Sequence, residues 1–66
     1  MKNVINRNGY ELDFEAAVEM MDDDLREELA NSGEYETEQE FFTAYEAAHE
    51  KKFGEAWELS KANPVW

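Results

Sequence analysis

The residues of this chain whose types and spacing could do chemistry are almost all carboxylates. Glu46 and His49 stand at i, i+3, the spacing used on helices that hold di-iron carboxylate sites. Such a site takes two of these motifs and two further carboxylates from four helices, and His49 is the one histidine of the chain. Beside Tyr45 and Phe53, it reads instead as a residue flanking an aromatic core. The order His49-Glu50 opens like a zinc-protease motif but lacks the second histidine. Asp22-Asp23-Asp24 offers oxygens for calcium, yet the sixth position of an EF-hand loop calls for glycine and Glu27 stands there. The aspartates fit a helix start better. Two carboxylates work as an acid–base pair only where a pocket shifts one pKa. A chain of 66 residues has little material for a pocket once its core is filled. The sequence therefore nominates no catalytic residue, metal ligand or cofactor site, and the chain reads as non-enzymatic.

The carboxylates matter more as a population. The formal charge is -11, and residues 11–40 hold thirteen acids against the single base Arg26. This exceeds the magnitude of roughly 2 to 8 that keeps a small domain soluble, and it opposes compaction. A negative surface argues against binding anionic membranes or nucleic acid directly, since both require basic residues. It favours a basic partner, because each carboxylate can accept an arginine fork at two oxygens. A folded protein displaying carboxylates can also occupy a groove built for the phosphates of DNA. Glu15, Glu19, Asp22, Asp23, Glu27, Glu34, Glu36 and Glu38 are the candidate acidic face. The plainer reading is a solvated surface that keeps the protein soluble.

Elements must position these groups, and the sequence predicts an α+β fold: an N-terminal β-hairpin on about three helices, with a short C-terminal strand or flap. Nine aromatic residues, with regularly spaced Leu and Met, oppose the disorder that the charge would otherwise favour. Residues 1–66 read as one acidic domain, divided into a hairpin over 1–12, two short helices over 13–30, a main helix over 37–53 and a flap over 55–66. Asn8-Gly9 predicts a two-residue type I′ turn. That turn pairs Arg7 with Tyr10 and Ile5 with Leu12, which puts Ile5, Tyr10 and Leu12 on the buried face. Asp13 is placed to cap a first helix whose stripe is Phe14, Ala17, Val18 and Met21. A second helix from about Asp23 to Ala30 buries Leu25 and Leu29, is steadied by Asp22 and Arg26, and stops at Asn31-Ser32-Gly33. Thr37-Glu38-Gln39-Glu40 is a capping box. The main helix behind it carries an apolar face of Phe41, Phe42, Tyr45, Ala48, His49 and Phe53, and Gly54 stands where a C′ glycine belongs. Trp57 and Leu59 alternate with Glu58, and Asn63-Pro64 ends regular structure before Val65 and Trp66. A chain of this size buries only about 60% of its unfolded surface. No cysteine can staple it, no run of the chain is long and apolar enough for a signal peptide or membrane span, and a cytoplasmic location is expected.

Two stretches carry a resemblance. Residues 12–18 (LDFEAAV), Met21-Asp22-Asp23 and Arg26-Glu27-Glu28-Leu29 form the first. The second comprises residues 40–45 (EFFTAY), His49, Phe53-Gly54-Glu55, Trp57-Glu58-Leu59 and residues 63–66 (NPVW). Together they resemble small acidic accessory proteins carried by phages and conjugative elements of bacteria, a family to which no agreed activity attaches and from which no site residue carries over. The resemblance implies a setting in the bacterial host, where such elements disarm restriction enzymes or CRISPR complexes, often by imitating nucleic acid. One expectation is thus a DNA-mimic inhibitor that fills a basic groove of a nuclease or CRISPR component. The alternative is a protein–protein adaptor anchored by Trp57, Val65 and Trp66, since tryptophan is enriched at interface hot spots. For Trp57, burial in the core is the preferred reading. A homodimer that completes an undersized core is a third arrangement.

Overall fold

Strands of three residues cannot stand alone in water, so the hairpin needs a partner surface. In the computed structural model, which describes residues 2–61, β1 (Asn3–Ile5) and β2 (Glu11–Asp13) pair antiparallel with Val4 opposite Leu12. Three helices follow, α1 (Phe14–Met20), α2 (Asp23–Ser32) and α3 (Glu38–Phe53), and then a single 3₁₀ turn over Glu58–Lys61. The predicted α+β class is the one observed. The segment around Trp57 and Leu59, expected as a strand or flap, runs into the 3₁₀ turn because Ser60 N–H bonds back to the Trp57 carbonyl.

The hairpin register differs by one residue from the expected one. Ile5 opposes Glu11, not Leu12, and among the described residues no non-glycine residue has positive φ, so Asn8-Gly9 does not form a type I′ turn. The loop closes instead through Gly9 N–H to the Asn6 carbonyl and Asn6 N–H to the Tyr10 carbonyl, both 2.9 Å, with Gly9 alone left-handed at φ 84°. This is the three-residue loop that ends on an αL glycine. Its organiser is the buried Asn6 side chain, whose Oδ1 accepts from Asn8 N–H and Tyr10 N–H at 2.9 Å each. Because side chains alternate along a strand, a slip of one residue exchanges the two faces. Val4 is therefore fully buried and Ile5 is 52% exposed. The side-chain amide of Gln39 holds the Ile5 main chain at both ends, accepting from its N–H at 2.7 Å and donating to its carbonyl at 2.9 Å.

The helix starts follow local capping chemistry, with exceptions. Thr37 Oγ1 accepts from Glu40 N–H at 3.2 Å, as a capping box requires, while the Glu40 carboxylate reaches one residue further back, to Glu36 N–H. Asp22 caps α2 through Leu25 N–H at 3.0 Å. Asp13 occupies the N-cap position of α1 but its side chain caps nothing, and Phe14 N–H bonds the Lys2 carbonyl at 2.9 Å, which carries the hairpin directly into the helix. Gly54 ends α3 in the left-handed conformation. Arg26 pairs with Asp23 at 3.1 Å and not with Asp22, whose carboxylate is already engaged at the cap.

Val4, Ala17, Met21, Leu25, Phe42, Tyr45 and Trp57 form the core, with two members from α3 and one each from β1, α1, the α1–α2 junction, α2 and the C-terminal segment. Tyr45 and Trp57 meet edge to face with centroids 4.6 Å apart, and Phe42 lies 5.5 Å from Trp57. The Tyr45 hydroxyl accepts Asp22 N–H at 2.8 Å, tying the α1–α2 junction to α3. His49 packs 4.6 Å from Phe53 and 5.8 Å from Tyr45, flanking the aromatic core as its neighbours predicted, and its Nδ1 donates to the Glu55 carbonyl.

Two measurements check this construction. Asn6→Ala removes the shared acceptor of two loop N–H groups and should cost about 2–3 kcal/mol in urea unfolding, whereas Ile5→Thr on the exposed face should stay within about 0.5 kcal/mol. Burial raises the Tyr45 phenol above 10.0. The folded state therefore keeps that proton more tightly than the unfolded chain, and its contribution is complete below pH 10 and lost as pH rises through the folded value. Tyr45→Phe should cost about 1 kcal/mol at neutral pH through the lost hydrogen bond and flatten the alkaline limb of a stability–pH profile.

Candidate interaction surface

The eight acids nominated from sequence are spread over α1, α2, the following loop and the start of α3. Seven are exposed and Glu38 is partly covered. Three of them meet cations: Asp23 meets Arg26 at 3.1 Å, Glu38 meets Lys2 at 2.9 Å, and Asp22 lies 3.9 Å from Lys52. The Lys2 ammonium holds the Glu38 carboxyl below its ordinary value. Glu15, Glu19, Glu27, Glu34 and Glu36 have no cation partner among the described residues.

These side chains do not all border one surface. Glu27 lines a groove with Phe14, Val18, Arg26, Ala30 and Phe41. Glu34 lines another with Tyr35, Gln39 and Ala44, and Glu19 a third with Leu12, Met20 and Leu59. Helical spacing groups some of them more closely. Glu15 and Glu19 are i, i+4 neighbours on α1, as are Asp23 and Glu27 on α2, so each helix carries a short row of carboxylates. The first groove runs between these helices. Its end is built from aromatic edges, Phe14 to Phe41 at 6.2 Å and Phe41 to Tyr35 at 5.1 Å. Gly33 permits this stack, because a Cβ there would stand 2.6 Å from the Tyr35 hydroxyl.

Trp57, a candidate anchor for an adaptor, is 5% exposed and fills the core, so it is not available to a partner. Val65 and Trp66 lie outside the described residues. Glu46 is not poised with His49 for metal. It is buried, and its carboxylate accepts Arg7 N–H at 3.1 Å and the Ser60 hydroxyl. Around it, Asn6 Nδ2 donates to the Leu59 carbonyl and Asn8 Nδ2 to the Ser60 carbonyl. This cluster joins the hairpin loop, α3 and the C-terminal turn. Sequence reasoning missed Asn6 and Glu46 as structural centres. A signal existed for Glu46, which stands four residues after Phe42 and three before His49, inside the apolar stripe.

The second strand, the three helices and the buried Trp57 fall within the span of a known family. The chain matches the family model described as anti-CRISPR protein AcrIC5 over residues 5–57, and it belongs to that family. The resemblance to small acidic accessory proteins of phages thus narrows to one anti-CRISPR family. No curated protein matches the chain. Among the described residues, no helix is long and apolar enough to cross a membrane.

Carboxylates with no cation nearby repel one another across α1 and α2, and salt screens such repulsion between exposed charges. Raising sodium chloride from about 20 mM to about 500 mM should therefore raise the melting temperature. A fall would mean that the surface ion pairs dominate.

Proposed function

We propose that this protein inhibits a CRISPR defence complex as a non-enzymatic ligand, binding a protein component of that complex in the cytoplasm of the bacterial host. Membership of the anti-CRISPR family carries this reading. The mode of binding is electrostatic. The carboxylates of α1 and α2 occupy a basic surface that otherwise receives the phosphates of nucleic acid, so the bound protein excludes the nucleic acid. Glu15, Glu19 and Glu27 support that mode, because an exposed carboxylate without an internal cation is free to accept arginine or lysine from a partner. Asp22 caps α2 and Asp23 holds Arg26, so any part they take in binding is entangled with their roles in folding. Long-range attraction between opposite charges speeds encounter and weakens with salt. Self-association through the same face is opposed by its charge, and a homodimer would have to use another surface.

Phage plating on CRISPR-immune bacteria tests the proposal. Expression of the wild-type chain should restore plating against a susceptible CRISPR type. The triple variant Glu15→Lys, Glu19→Lys, Glu27→Lys should lose at least about tenfold of that rescue, since each reversed contact is worth of order 1 kcal/mol or more at an interface. The variant Glu55→Lys, Glu58→Lys makes the same kind of charge change outside the acidic helices and should retain the rescue. Full inhibition by the triple variant would rule out the carboxylate mode, and failure of the wild-type chain against every CRISPR type would rule out inhibition itself.

A further inference from the structure

The groove between α1, α2 and the start of α3 combines two properties that a pure imitation of phosphate does not need. Its floor is apolar, made by Phe14, Val18, Ala30 and Phe41, and it is an open groove of about 410 Å³. Its border is acidic. Glu27 lines it directly, Glu15 stands three residues before Val18, and Asp23 stands four before Glu27, so helical spacing puts both on adjoining lines of the surface. Arg26 is the one cation in the wall, and its charge is met from within. One guanidinium nitrogen donates to the Val18 carbonyl and another to the Asp23 carboxylate, each at 3.1 Å.

We propose that this groove takes one aliphatic or aromatic side chain from a basic segment of the protein partner, with arginine or lysine on either side of it. The inference rests on the reading above that the partner is a basic protein surface, and it specifies what that surface presents. Charge complementarity selects the occupant. A second copy of this chain would bring thirteen acids and one base, over residues 11–40, against the same carboxylate border. A nucleic acid would bring phosphates. A basic segment satisfies the border, and its apolar side chain gains an anchor that is shielded from water by the charged contacts around it, the arrangement found at interface hot spots. Burial of that side chain also makes part of the binding resistant to salt, whereas attraction among exposed charges is screened.

Two peptides test this against the full chain: a twelve-residue peptide of alternating Arg and Lys with one central Leu, and the same peptide with Ser in that position. Fluorescence anisotropy should give about tenfold tighter binding for the Leu peptide, the effect of largely burying one leucine. The methyl resonances of Val18 and Ala30 should shift with that peptide alone. Ala30 is exposed, so Ala30→Trp fills the groove without altering charge or entering the core, and it should erase the preference while leaving binding of the Ser peptide unchanged. A thermal melt confirms that the variant is folded. Equal binding of the two peptides to the wild-type chain overturns the groove and leaves the carboxylate mode standing. A preference that survives Ala30→Trp also overturns it. Failure of both peptides to bind in low salt overturns the groove and the carboxylate mode together.

Discussion

The buried amide of Asn6 is the constraint on which the rest of this molecule depends. Its oxygen accepts two loop N–H groups and its nitrogen donates to the Leu59 carbonyl, so one side chain fixes the hairpin turn and fastens the far end of the chain to it. A buried polar group is tolerated only when its hydrogen bonds are made, and breaking any one leaves a desolvated partner behind. The turn that Asn6 dictates sets the strand register. That register sends Val4 into the core, and Val4 packs with Phe42 and Tyr45 of α3. Glu46 works in the same way from the other side, receiving Arg7 N–H and the Ser60 hydroxyl. A small protein without disulfides thus uses polar cross-links between distant segments where a larger one would rely on area.

The acidic half of the chain sets the opposing demand. Ion pairs do little to offset it, since the four that link described residues are at or near the surface, where such contacts are worth about 1 kcal/mol or less each. Cohesion comes instead from the aromatic cluster of α3 with Trp57 and from the residues of α1 and α2 that pack on it. The Tyr45 hydroxyl adds a directional contact at the junction of α1 and α2, the point at which two negatively charged helices are brought together. Keeping so much uncompensated charge on a fold with so small a core has a physical rationale when the charge is matched by a partner. Binding then removes the repulsion as it forms the contacts.

That view also separates two ways of being acidic. A solvated anionic coat needs no particular arrangement. Here α1 and α2 each carry carboxylates at i, i+4, and Glu27 of the α2 pair lines an apolar groove whose single cation is internally satisfied. Charge gives long reach and rapid encounter, while an apolar contact gives persistence once the partner has arrived.

What the sequence by itself determined was local. The stripe of Phe14, Ala17, Val18 and Met21, the Thr37 cap, the αL glycine after Phe53 and the burial of Trp57 follow from composition and from spacings of three to seven residues, where the chain's own geometry decides the contact. The net charge is likewise a property of composition. Only the tertiary structure decided the hairpin register, because Asn8-Gly9 satisfies the rule for one turn while Asn6, held from Leu59 across 53 residues, enforces another. It also decided which carboxylates are paired, that Glu46 is buried, and which acids adjoin the groove. Each of these depends on how segments far apart in sequence approach one another, and a single chain of residue types contains no local spacing that encodes such distances.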